Sequence, residues 1–180
     1  HRVIGITGEK GNGKTSFVHV LIYLLSINGY SATVIHFADY IKKVARECFG
    51  KDIGTIHGKL KKDERELLCK IGDALRGIDS SCLVNVVTRN INKTRGFVIL
   101  GDVRLEREAE VVRSYDGVIV RIKSNIFNRR ENYLKDHKTE KEISAIQPDF
   151  EVLNEGTFGD LLTEGKKVLG YFVPNKRWKS

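Results

Sequence analysis

Val3-Ile-Gly-Ile-Thr-Gly8-Glu-Lys-Gly-Asn-Gly13-Lys14-Thr15-Ser16 is the stretch on which the fold turns. Val3–Thr7 is a short apolar, β-prone run, the pattern of a buried strand. Gly8 to Thr15 then fits GxxxxGK(S/T) in full. Lys14 to about Ile27 continues as a helix, and Asn28-Gly29 supplies its stop. Strand, glycine loop and helix in that order are the context such a loop needs. The glycines let the backbone curl so that several N–H groups face inward, and the helix start adds its partial positive charge. The expected product is a phosphate cradle built from Gly8, Lys10, Gly11, Asn12, Gly13, Lys14, Thr15 and Ser16. Lys14 would reach the β- and γ-phosphates of ATP, and the Thr15 hydroxyl would ligate Mg2+.

Outward from this loop, strands and helices alternate. Ala32–Phe37 reads as a second strand, and Asp39 as the N-cap of a helix ending near Phe49 before Gly50. Lys51–Leu60 is a polar loop. Lys61–Arg76 is helical, with Leu67, Leu68, Ile71 and Leu75 on one face. Ser80 or Ser81 can cap a further helix through Asn90. Phe97–Leu100 is the best central strand, Leu105–Arg113 a charged helix, and Gly117–Ile122 another strand. Phe150–Leu153 and Thr157–Leu169 read as the last strand and helix; the tail after Gly170 is basic and gives no element. The pattern predicts an α/β fold: a three-layer P-loop NTPase sandwich with a mostly parallel five-stranded sheet, helices on both faces and a small charged lid. Ligands bind such sheets beyond the carboxyl ends of the strands. The expected core is residues 1–37, 96–122 and 149–170, with an acceptor-binding region at 38–95 and the lid at 123–145.

Asp102 follows Phe97-Val-Ile-Leu100-Gly as a Mg2+-holding acid should, and Arg104 follows close behind. A monophosphate acceptor is already ionised at neutral pH. It needs cations that cancel phosphate repulsion and hold the groups in line, rather than a strong base. Arg65, Arg76, Arg104, Arg129 and Arg130 are placed to do this, since a guanidinium fork matches phosphate oxygens. Arg129 and Arg130 belong to the charged lid. The expected catalytic set is Lys14, Asp102, Arg104, Arg129 and Arg130, with Thr15 and Asp102 as the metal pair. The spacing of Asp136, His137 and Glu140 fits no metal motif, and His19, His36 and His57 show no partners.

Composition narrows the classes further. The 180 residues carry 31 Lys+Arg against 23 Asp+Glu, a net charge of +8, and 41% are hydrophobic. That is enough apolar content for one folded domain and excludes a disordered chain. No run of about 18 apolar residues occurs, so no membrane partner is expected. The apolar run Phe17–Ile27 is interrupted and follows the glycine loop, unlike a signal peptide; methionine is absent, and His1 reads as a tag remnant. The basic residues are dispersed, without an RNP-like aromatic motif or zinc-finger spacing, and do not point to nucleic acid. Cys48, Cys69 and Cys82 are odd in number, lack CxxC spacing and read as buried or half-buried thiols of a cytoplasmic protein. A signalling GTPase would carry NKxD, whereas Asn92-Lys93-Thr94-Arg95 lacks the aspartate. A small kinase fits the length. A kinase for another phosphorylated metabolite, and a nucleotide-dependent nucleic-acid-binding module, stay open on the residues alone.

Several segments, in order, resemble the deoxynucleoside monophosphate kinases known from tailed phages. Besides the opening loop, Phe37-Ala-Asp39-Tyr-Ile-Lys42 resembles that family's FADxLK, and Arg65 through Arg76 its RxLLQxxGxxxR. Gly101-Asp102-Val-Arg104-Leu-Glu-Arg-Glu108-Ala resembles DVRFxNEA, Asp136 through Glu140 resembles DxHxSE, and Asn154-Glu-Gly-Thr157 resembles NxGT. The resemblance spans about residues 3 to 162 and implies transfer of the γ-phosphoryl group of ATP, with Mg2+, to a deoxynucleoside monophosphate. It implies Asp39, Lys42, Arg65, Arg76 and Arg104 around the acceptor, nucleotide substrates as the partners, room for a homodimer, and residence in the cytoplasm, that of the host if the chain is phage-encoded. Departures fall at Tyr40, usually proline, at Ser81-Cys82-Leu83, where a tryptophan is frequent, and at Thr139, usually serine. Dephospho-CoA kinase and phosphomevalonate kinase share the architecture.

Overall fold

A computed structural model describes residues 2–51, 62–124, 138–174 and 176–179, with the backbone alone at 62 and 138–141. The chain runs β1 (Arg2–Thr7), α1 (Lys14–Ile27), β2 (Ala32–Ile35), α2 (Phe37–Phe49), α3 (Lys62–Ile78), α4 (Cys82–Lys93), β3 (Phe97–Leu100), α5 (Glu106–Arg113), β4 (Val118–Lys123), α6 (Lys138–Ala145), β5 (Phe150–Leu153) and α7 (Phe158–Phe172). It divides into two compact units, His1–Ile35 with Ile91–Ser180, and His36–Asn90.

The first unit holds the sheet. Its five strands lie in the order β2-β3-β1-β4-β5, and every pairing is parallel, so the expected "mostly parallel" sheet is parallel throughout. Alternation along β1 explains the two faces. Ile4 and Ile6 enter a core with Phe17, Leu21, Leu24 and Leu25 of α1 and Leu161, Val168 and Leu169 of α7. On the other face α5 packs against β1 and β4. Phe97–Leu100 is fully buried, as a central strand covered on both faces should be.

Several boundaries differ from the sequence reading. The second strand stops at Ile35 because Phe37 opens α2 with its side chain buried. Asp39 is therefore not the N-cap: His36 is, and Asp39 Oδ2 accepts its backbone N–H at 3.0 Å from the third helical position. Within the expected lid, residues 138–145 form α6, whose end is held by Arg121 on β4. The Arg121 guanidinium donates to the carbonyls of Ile143 (3.2 Å) and Ile146, satisfying carbonyls a helix end leaves free. Residues 125–137, most of that lid, lie outside the described residues, as does the greater part of the polar loop at 51–60. Cys48 and Cys69 are exposed rather than buried, and Cys82 is half-buried.

The second unit, by itself, packs α2 against α3 around Ala45 and Ile71, with Ile41, Val44, Leu67, Leu68 and Leu75 beside them. The apolar stripe expected on the second of these helices is the one observed.

The basic tail has a structural role that its composition hides. Trp178 is 9% exposed and belongs to the main core. Lys176 Nζ sits 4.1 Å from the centre of the Tyr30 ring and 5.3 Å from that of Trp178, and donates to Asn28 O at 3.2 Å. The tail thus seals the end of α1. Trp178→Ala should cost about 3 kcal/mol, read as a fall in the urea midpoint. Trp178 is also the chain's single tryptophan, so its fluorescence in the wild type should report tail release and global unfolding as one transition.

Candidate functional site

The glycine loop joins β1 to α1 and is held by two buried asparagines. Asn12 is 5% exposed, and its Nδ2 donates to the carbonyl of Ile122 at the end of β4 (3.2 Å). Asn154, 6% exposed, lies just past β5; its Nδ2 donates to Asn12 O (3.1 Å) and its Oδ1 accepts from Gly156 N (3.1 Å). The second bond closes a turn of the kind asparagine side chains make. Gly13 has φ +93°, and a Cβ there would lie 2.2 Å from Asn154 Nδ2. Only glycine lets Asn154 approach this closely.

The loop ends in an unspent helix terminus. Gly13 caps α1 with no side-chain hydrogen bond, and no acidic residue lies in its first turn. The first amides of the helix keep their partial positive charge for an external anion. Lys14 Nζ donates to the carbonyls of Gly8 (2.6 Å) and Glu9 (2.9 Å), folding back over the loop it follows. Thr15 and Ser16 are exposed at the start of α1, as are Lys10 and Gly11 in the loop, whereas Gly8 is buried.

Asp102 meets Lys14 from β3. The chain past β3 stays tied to its neighbours, since Gly101 N donates to Ile35 O (3.1 Å) and Val103 N to Ile6 O (2.8 Å). Asp102 between them is therefore delivered to the carboxyl end of the sheet. Its Oδ1 is 3.6 Å from Lys14 Nζ, and its Oδ2 accepts from Arg104 Nε (2.8 Å) and Nη2 (2.7 Å). Oδ1 is buried and has no hydrogen-bond partner among the described residues. A buried carboxylate oxygen with an unused lone pair is a donor that suits a hard divalent cation such as Mg2+, and the Thr15 hydroxyl at the start of α1 is another oxygen of that kind.

Glu108 anchors this segment, a role that sequence reading missed. It is 7% exposed, and its Oε2 accepts the backbone N–H groups of Arg104 (2.8 Å) and Leu105 (3.2 Å). The capping pattern at the start of α5 lacks its usual Ser or Thr, because Leu105 stands at the N-cap, so the signal was absent. Asn154 was visible only as part of a resembling turn.

The acceptor candidates lie in the second unit, Arg104 excepted. Asp39 is spent on the α2 cap, and Lys42 is half-buried on the same helix. Arg65 is exposed on α3. Arg76 pairs with Asp73 at 2.8 Å and lies over Gly72, where a Cβ would stand 3.1 Å from Nη2. The GxxxR spacing thus reflects a glycine that makes room for the arginine one turn on. Desolvation, then Asp39, pushes the neighbouring Tyr40 hydroxyl up, and Arg89 opposes them. Arg129 and Arg130 lie outside the described residues, as do Asp136 and His137. Among the described residues no group of three metal-binding side chains occurs, and no helix is long and apolar enough to cross a membrane.

Burial pushes the Glu108 carboxyl up; the two N–H donors pull it down, Asp102 adds to the rise and Arg104 opposes it. A carboxyl whose folded value is raised contributes stability that is full below its unfolded value, about 4.3, and lost as pH rises through the folded one. Glu108→Gln keeps an acceptor without the charge. Its melting temperature relative to wild type should therefore rise as pH is taken from 4 towards 7, and Glu108→Ala should lose about 1 kcal/mol by orphaning two amides. Thermal melts across that range check both.

No protein-family model matches the chain, and no curated protein matches it. Solved structures do. Shikimate kinase from Aquifex aeolicus superposes with a TM-score of 0.51 at 14% identity, over 97% of this chain and 99% of that one. Shikimate kinase from Acinetobacter baumannii gives 0.49 at 14% identity over 97% and 94%. The APS kinase CysC of Mycobacterium tuberculosis, in complex with AMPPNP and APS, gives 0.47 at 14% over 96% and 97%. The first of these likenesses, with the all-parallel sheet and the glycine loop in place, shows that the chain has the P-loop kinase fold.

Proposed function

We propose that this chain transfers the γ-phosphoryl group of ATP to a deoxynucleoside monophosphate, giving the diphosphate. The observation that carries the first half is the uncapped start of α1 with Lys14 and Asp102 converging on it. A phosphate chain seated there meets the positive end of α1, and the Lys14 ammonium exchanges two backbone carbonyls for phosphate oxygens, a stronger charge-assisted set. Thr15 and Asp102 would hold Mg2+, which when bound offsets charge on the β- and γ-phosphates.

The acceptor half rests on the ordered motifs and on cation chemistry. Lys42, Arg65, Arg76 and Arg104 are the cations that these motifs assign to the acceptor. An ionised acceptor phosphate needs such cations to approach a second phosphate chain. Arg129 and Arg130 are the arginines proposed to act on the transferring group. Asp39, fixed on the His36 amide, acts through the orientation of α2. Tyr40 and Ser81-Cys82-Leu83 stand where the resembling family carries other residues, so the base accepted is set by this chain's own pocket.

Mg2+-dependent ADP release across ribo- and deoxynucleoside monophosphates, dephospho-CoA and phosphomevalonate tests this reading. Stimulation by deoxynucleotides is expected; stimulation by dephospho-CoA or phosphomevalonate alone would overturn the acceptor assignment. Lys14→Ala should cut kcat by about 100-fold or more. Arg76→Ala and Arg104→Ala should raise the acceptor KM by roughly 10- to 100-fold, the worth of one lost charged hydrogen bond, with ATP affinity retained.

A further inference from the structure

All five strands are parallel, so all of them start at the end of the sheet opposite the glycine loop. Basic residues that look dispersed along the sequence are gathered there by the fold, around the turn at residues 28–31 that leads from α1 into β2. Arg2 opens β1, and its guanidinium carbon lies 5.8 Å from the centre of the Tyr30 ring and 5.3 Å from that of Phe97. Arg95 precedes β3, and its carbonyl accepts from Ser31 Oγ (3.4 Å). Lys93 closes α4 two residues earlier. The tail crosses the same turn, with Lys176 Nζ donating to Asn28 O and Lys179 N to Asn28 Oδ1, both at 3.2 Å. Trp178 is buried there, whereas Arg177 and Lys179 on either side of it are exposed.

Two features set this face apart from an ordinary charged surface. The first is the lack of counter-charge. Arg2, Lys93, Arg95, Arg177 and Lys179 are all exposed, and none pairs with a carboxylate among the described residues. Lys43, Arg113, Lys123 and Lys167, on other parts of the surface, each have such a partner. Residues 27–31, 92–97 and 176–179 contain no Asp or Glu. The acids that precede strands stand before β4 and β5, and of these Asp149 is spent on Ile119 N (2.7 Å). Like charges held on one face repel one another, and a polyanion relieves that repulsion. The second feature is aromatic. Tyr171 is 58% exposed near the end of α7, and its ring is 5.1 Å from Phe172, which is 5.6 Å from Phe97 beneath Arg2.

We infer that the amino end of the sheet binds single-stranded nucleic acid, with Arg2, Arg95, Arg177 and Lys179 on the phosphates and Tyr171 against a base. Cations that track a backbone, beside a ring on which a base can stack, are the two parts such binding needs. A duplex keeps its bases stacked on one another and would leave the ring unused. One ring is too little apolar area to seat in a bilayer. Contacts to phosphate and to the face of a base select no base order. The reaction site lies at the other end of the sheet, so the inference stands or falls apart from the phosphoryl-transfer reading.

Fluorescence anisotropy of a labelled oligodeoxythymidylate of about 16 nucleotides, with the full chain and without ATP or Mg2+, tests this. Wild type should bind, and the logarithm of its affinity should fall against the logarithm of salt concentration with a slope of about −3, as four phosphate contacts on a single strand give. Arg95→Gln with Arg177→Gln should halve that slope, to about −1.5. Tyr171→Ala should weaken binding about tenfold and leave the slope unchanged, the mark of a lost stack. Unchanged Trp178 fluorescence shows that each variant is folded. ATP with Mg2+ should not displace the strand, and turnover should be the same in the double variant as in wild type. A slope that the double variant leaves unaltered, or displacement of the strand by ATP, would overturn the inference. So would tighter binding to duplex of the same length, or to phosphatidylserine vesicles, than to the single strand. Absence of kinase activity with the strand still bound would end the phosphoryl-transfer reading and leave this one intact.

Discussion

The clip between Asn12 and Asn154 is the constraint on which the site depends. A loop of three glycines has many conformations to lose, and nothing in its own sequence selects the one that aims its amides outward. Two buried side-chain amides select it. One ties the loop to the end of β4, the other to the turn after β5, residues more than 100 positions away in sequence. Both bonds end on backbone carbonyls inside the protein, where leaving either carbonyl unpaired would cost more than the bond contributes. The loop is therefore shaped by the finished sheet, and the phosphate cradle exists only once β4 and β5 are in register.

The same logic runs along the carboxyl edge of the sheet. Val103 is tied to β1, Gly101 to β2 and Arg104 to Glu108, so the backbone at Asp102 is fixed by its neighbours. Its carboxylate can then be left under-satisfied, with one oxygen open. Glu108 is buried with its charge pushed towards neutrality, a local cost that stiffens the segment carrying the reactive groups. Rigidity here comes from backbone bonds and mobility is left to side-chain ends, the arrangement phosphoryl transfer needs when positioning does most of the catalysis.

Much of this was legible in the sequence, and the reason is periodicity. The strand–loop–helix opening, Phe97–Leu100 and the stripe of Leu67, Leu68, Ile71 and Leu75 each carry a local pattern strong enough to fix an element, and the five strands were placed from such patterns. Errors came where long-range contacts overrule local signals. Asp39 looks like an N-cap, but burial of Phe37 starts the helix three residues sooner. The basic tail looks solvated, yet Trp178 reaches the core because Lys176 and Tyr30 bring it there. Glu108 and Asn154 escaped as site residues because their partners are backbone groups, which sequence does not display. Lys14 and Asp102 were each legible because loop and strand end carry their own signatures, but the ion pair between them was not. Nor was the hold of Asp102 on Arg104, since spacing alone cannot say which of two cations a carboxylate keeps.

Amide hydrogen exchange across residues 8–16 tests the central claim most directly, because it reads the backbone groups on which the cradle depends. With Mg2+ and ATP, the amides of the loop and the first turn of α1 should slow markedly, while adenosine with Mg2+ should leave them unchanged. Protection by adenosine equal to that by ATP, or protection by ATP at some other part of the chain, would contradict a phosphate site at the start of α1.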